Sequence, residues 1–73
     1  MADTVDDFQA GVAHHRAGSL ALAEAAYRRV LEQSPQHADT WHLLGVLANQ
    51  VGRHDTAVEC IRYAIALRPD NAR

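Results

Sequence analysis

The sequence predicts an all-α chain of two antiparallel helix-turn-helix units, and three observations carry that expectation. Seven residues recur at an interval of 34 along the 73-residue chain: Gly11 with Gly45, Val12 with Val46, Gly18 with Gly52, Ala23 with Ala57, Arg28 with Arg62, Pro35 with Pro69 and Ala38 with Ala72. Apolar residues follow helical spacing rather than the alternation of a strand. Glycine and proline stand where such helices must stop or touch. A recurrence of roughly 20–50 residues is the mark of a stacked array whose units are single supersecondary elements.

The first unit opens with a helix over residues 4–17, where Thr4 followed by Asp7 resembles a capping box with Asp in place of Glu. Gly18 breaks it. A second helix over 19–33 carries Ala23, Tyr27, Val30 and Leu31 at apolar spacing, and Pro35 closes it. The second unit repeats the plan more regularly. Trp41, Leu44, Gly45, Ala48 and Val51 form one stripe of a helix over 38–51, and Gly52 ends it. Asp55 is then expected to cap the fourth helix, with Ala57, Val58, Ile61, Ala64 and Ile65 as its buried face and Pro69 as its stop.

The repeated glycines have two jobs. Gly11 and Gly45 lie inside helices, where Gly costs about 1 kcal/mol relative to Ala, so close helix packing is expected there. Gly18 and Gly52 lie in turns that call for positive φ. As a domain plan, one domain over 1–73 holds repeat one at 4–37 and repeat two at 38–71. The tail 69–73 parallels 35–39, so a third repeat is expected to begin at 72–73, as in the N-terminal part of a larger protein or a short chain that completes itself by self-association.

Composition narrows the function. Seven Lys and Arg against nine Asp and Glu leave a net charge of −2, which offers no electrostatic footprint for nucleic acid. The longest apolar run, 43–48, is too short to span a bilayer, and the acidic N-terminus does not suit a secretory peptide. One cysteine, Cys60, excludes an internal disulfide and fits a cytoplasmic location. No two of the five histidines, His14, His15, His37, His42 and His54, share a helical face at i and i+4, so no metal or other cofactor is expected. His14 is read as packing between helices with a hydrogen bond. Ser19, Ser34 and Cys60 sit in no nucleophile motif, so the chain is read as non-enzymatic by itself. Asp3, Asp6, Asp7, Arg28 and Arg29 read as helix-end and solvent-face charges.

Trp41-x2-Leu44-Gly45, then Ala57-x3-Ile61, then Pro69 match the tetratricopeptide pattern in order and spacing, and the second unit resembles such a repeat. Ala48 and Ile61 replace an expected Tyr and Phe. The first unit keeps Gly11, Ala23, an aromatic at Tyr27 and Pro35, but has Asp7, Ala10 and His14 where Trp, Leu and Tyr are expected. A terminal repeat with one side toward water would account for Asp7. The resemblance implies four helices stacked in a right-handed superhelical array. In wording, 41–46 and 64–69 also look like bacterial arrays that precede transferase domains, including relatives of the O-linked N-acetylglucosamine transferases. The asparagine ladder of those transferases would fall at Gln9 and Leu43, which are not asparagines.

The same resemblance implies a concave groove lined by the first helix of each unit, for a protein or peptide partner. On that helix His42, Val46, Asn49 and Gln50 lie roughly opposite the apolar stripe, and the 34-residue offset adds Phe8, Val12, His15 and Arg16. Phe8 has a second reading, turned inward in place of the missing Trp. The alternatives to a peptide groove are self-association through unpaired repeat ends, with Ile61 and Ile65 exposed, and an accessory array of a glycosyltransferase-like enzyme.

Overall fold

A computed structural model describes the backbone of residues 4–68 and the side chains of residues 6–68. Four helices follow one another: α1 Thr4–Arg16, α2 Leu20–Gln33, α3 Ala38–Gln50 and α4 His54–Leu67, with no strand among the described residues. They fall into two compact units, Met1–Pro35 and Gln36–Arg73. Each unit is a helical hairpin, α1 packed on α2 in the first and α3 on α4 in the second. The proposed stop at Pro69, the third-repeat start in 69–73, Asp3 and the Thr4 side-chain cap lie outside the described residues.

Both hairpins turn by the same device. Ser19 N–H donates to the His14 carbonyl at 2.9 Å and Gly18 N–H to His15 at 3.1 Å; in the second unit Arg53 donates to Ala48 at 2.8 Å and Gly52 to Asn49 at 3.2 Å. These paired bonds satisfy the last carbonyls of α1 and α3 and require a left-handed residue between them. Gly18 and Gly52 supply it with φ of +83° and +86°. Ala17 and Val51 are therefore capping residues rather than the last helical residues, and Val51 is exposed instead of joining the buried stripe. Pro35 limits its predecessor to extended conformations, and Ser34, at φ −139°, ends α2.

Helix starts depart further from the sequence expectation. Asp55 does not cap α4; Arg53 holds that position with no side-chain bond, and Asp55 lies in the first turn, where it faces the positive end of the helix dipole. Ser19 likewise precedes α2 without a side-chain bond. The side-chain cap belongs instead to His37, whose Nδ1 accepts from Thr40 N–H at 3.3 Å and from the Thr40 hydroxyl at 2.7 Å. This satisfies Thr40, which is fully buried.

The buried rows are narrower than the apolar pattern. On α4 they consist of Ala57, Cys60 and Ala64, while Val58 and Ile65, expected inside, are 50% and 57% exposed. Small residues let two helices approach closely and leave larger flanking ones outside. In the first unit the core of α2 is Ala23, Ala26, Tyr27 and Val30. Asp7, expected at the solvent face, is buried, with Arg29 Nε at 3.4 Å and Gln33 Nε2 at 3.3 Å from its two oxygens. A carboxylate can stay inside only with such partners. It lies where the pattern has Trp, so the first hairpin uses a polar tie between α1 and α2 there. His14 is half-buried and makes no side-chain hydrogen bond among the described residues, whereas its neighbour His15 makes one with Tyr27.

Candidate functional site

Helix α3 turns Leu44, Gly45 and Ala48 inward, and this leaves His42, Val46, Asn49 and Gln50 exposed on its other side. Val46 and Asn49, with Gly45 behind them, form one wall of a cavity of about 410 Å³. The other wall comes from α4: His54, Ala57, Val58, Ile61 and Arg62. Gly45 lets α3 approach α4 closely behind the cavity. A Cβ on Gly45 would lie 2.8 Å from Ile61 Cδ1 and 3.2 Å from the Ala57 carbonyl. At its rim His54 Nδ1 lies 2.6 Å from Asn49 Oδ1, and because a carbonyl oxygen only accepts, the imidazole donates. That bond links the end of α3 to the start of α4. Arg62 makes no ion pair among the described residues.

Of the four residues expected to continue the surface in the first hairpin, two are engaged by Tyr27. Its ring centroid is 6.5 Å from that of Phe8 and 5.9 Å, edge-on, from that of His15. The Tyr27 hydroxyl and His15 Nδ1 share a hydrogen bond of 3.0 Å, whose direction follows the imidazole tautomer. Gly11 makes room, since a Cβ there would sit 2.5 Å from the Tyr27 ring. Tyr27 is fully buried, and burial pushes its phenol above the usual value. Val12 is half-buried and Arg16 exposed. Arg28 Nε and Nη2 both hold Glu24 Oε2, at 3.0 and 2.8 Å.

The second hairpin carries two further features. Trp41 stacks on Tyr63 with centroids 4.9 Å apart and planes 25° apart, which ties the start of α3 to α4. Arg68 Nη1 meets Asp39 Oδ1 at 2.6 Å across the same hairpin. Sequence reasoning missed His54, Val58 and Arg62 as cavity residues. One signal was available, because Val58 stands 34 residues after Glu24 beside the repeated pair Arg28 and Arg62.

Cys60 is buried. No group of three metal-ligating side chains converges among the described residues, and no helix among them is long and apolar enough to cross a membrane. Two family models match the chain, each described as a tetratricopeptide repeat, one over residues 8–37 and the other over residues 26–59. The first spans most of α1, all of α2 and the turn beyond; the second runs from within α2 through α3 into α4. Repeats of this kind generally mediate protein–protein interaction or scaffolding and are typically non-catalytic. With matches running from residue 8 to residue 59 across both hairpins, the chain belongs to the tetratricopeptide repeat family.

Proposed function

We propose that the chain is a cytoplasmic interaction module whose working surface is the exposed stripe His42, Val46, Asn49 and Gln50, offered to an extended or helical peptide or to a partner domain. The observation that carries this reading is their shared exposure on α3, opposite its buried row. Gln50 brings an amide that can bond a peptide and Val46 apolar area beside it, while Asn49 already accepts from His54. In the first hairpin Val12 and Arg16 are the better candidates, because Phe8 and His15 already meet Tyr27. The test is selection of displayed peptides on the immobilised protein, followed by amide chemical-shift mapping. Shifts at His42, Val46, Asn49 and Gln50 are expected. Binders that shift none of His42, Val46, Asn49 and Gln50 overturn the reading.

A second reading is self-association through the second hairpin, favoured by the exposure of Val58 and Ile65. Dilution would then lower the melting temperature, since association stabilises by mass action. A concentration-independent melt with monomeric sedimentation excludes it. A role as accessory array of a glycosyltransferase-like enzyme, with repeats divided at 37 and 38 and a third beginning at 72, rests on sequence wording alone. Transferase activity that persisted undiminished after deletion of these residues from such a parent protein would remove it.

A further inference from the structure

The two hairpins place the same arginine in different company. Arg28 and Arg62 correspond in the 34-residue register, as do Glu24 and Val58. Arg28 holds the Glu24 carboxylate through two nitrogens. At the matching place in the second hairpin the carboxylate is replaced by an isopropyl group that is 50% exposed. Arg62 consequently stands at the lip of an apolar cavity with no ion pair among the described residues, and Glu59 three residues earlier does not supply one. The filler differs as well. Tyr27 is buried against Gly11, whereas Ile61, at the same register position, is half-buried and lines the open cavity.

We infer that this cavity receives an acidic amphipathic helix of a partner protein. An apolar side chain of that helix seats on Ala57, Val58 and Ile61, and an Asp or Glu one turn away reaches Arg62, supplying from outside the carboxylate that Glu24 supplies to Arg28. The charge complementarity is one-sided, since the ionisable residues lining the cavity are His54 and Arg62 and no carboxylate lines it. A helix fits better than an extended strand. The α4 wall runs from His54 to Arg62, about 12 Å or two helical turns, which matches anchors at i, i+3 or i+4 and i+7. An extended peptide would need free backbone partners, and the rim groups Asn49 and His54 already bond one another. The inference rests on the reading of the chain as an interaction module and names the partner's chemistry.

The experiment uses a fluorescently labelled, Ala-based helical peptide of roughly five turns with Leu and Glu at i and i+4, and versions with Glu replaced by Gln or Lys. Anisotropy gives affinity, and amide shifts give location. The Glu peptide is expected to shift Val46, Ala57, Val58 and Ile61 and to bind about tenfold or more tightly than the Lys peptide. Arg62→Glu should invert that order. Arg62 is exposed, so the fold should survive, and circular dichroism checks it. Val58→Glu should weaken the Glu peptide by filling the place of its carboxylate. Equal affinities of the Glu and Lys peptides, or no binding by any of them, overturn the inference. So does a self-associated protein whose own second copy covers Val58 and Ile61. If selected peptides still shift His42 and Gln50 without touching Val58 and Ile61, the interaction module stands and the acidic-helix partner falls.

Discussion

The place that Tyr27 fills against Gly11 in the first hairpin is taken in the second by a half-buried Ile61 that lines a cavity, although the backbone turns are alike. In the first, Tyr27 lies against Gly11, Phe8 and His15, Asp7 is held by Arg29 and Gln33, and Glu24 holds Arg28. In the second, Ile61 lines a cavity, Val58 and Ile65 are exposed, and Arg62 has no carboxylate partner among the described residues. Helix-ending glycines fix the path of the chain, and the residues between them decide whether a hairpin spends its polar groups internally or presents them. The same register therefore carries a buried tyrosine beside a paired arginine in one unit, and a cavity with Arg62 at its lip in the other.

The largest expected effect is at Tyr27. Truncating a fully buried aromatic costs about 3–5 kcal/mol, a large share of the roughly 4–11 kcal/mol available to a chain of this length. Tyr27→Ala should lower the urea midpoint drastically, while Ile61→Ala, at a half-buried site, should cost no more than about 2 kcal/mol. Equal losses at the two positions would break the comparison.

The glycines sharpen it. Gly11→Ala places a methyl against the Tyr27 ring, which is tethered at its hydroxyl and cannot swing aside easily. Overpacking of about 1–3 kcal/mol should outweigh the roughly 1 kcal/mol gained in helix propensity. Gly45→Ala meets mainly the flexible end of Ile61, so its two terms should nearly cancel despite the Ala57 carbonyl at 3.2 Å. Paired urea titrations read the difference directly.

Tyr27→Phe should cost about 1 kcal/mol by removing the bond to His15. It should also change the alkaline limb of stability. Burial raises the Tyr27 phenol above its ordinary value near 10, so the folded state favours the neutral form. Its stabilisation is complete below pH 10 and is lost as pH rises through the folded value. The Phe variant should lack that part of the decline, measured as urea midpoints on either side of pH 10.

Helix number and turns were legible because Gly18, Gly52 and Pro35 act locally, through φ and a missing donor, and need no tertiary context. Caps were less so. Asp55 looked the better candidate by residue type, yet the turn after Gly52 places Arg53 at that position, while His37 caps α3 with a ring nitrogen that residue preference ranks low. Periodicity overestimated the buried rows, since it marks Val58 and Ile65 as apolar without showing that Ala57, Cys60 and Ala64 alone meet the neighbour. The exposed stripe on α3 follows from spacing. The engagement of Phe8 and His15 does not, because it depends on how far one long side chain, Tyr27, reaches from α2.

The smallest effect separates stability from recognition. Glu24 and Arg28 stand in the favourable order at i and i+4, but the pair is exposed and screened, so Glu24→Ala should cost at most about 0.5 kcal/mol. Val58→Glu recreates that pair beside Arg62 and gives up only a half-exposed valine, so its stability should stay within about 0.5 kcal/mol of the parent. Near-neutral stability joined to loss of acidic-helix binding would locate the difference between the hairpins in what they offer a partner. A large loss of stability would instead mean that Val58 belongs to the core of the second hairpin, and that the open cavity is part of its packing.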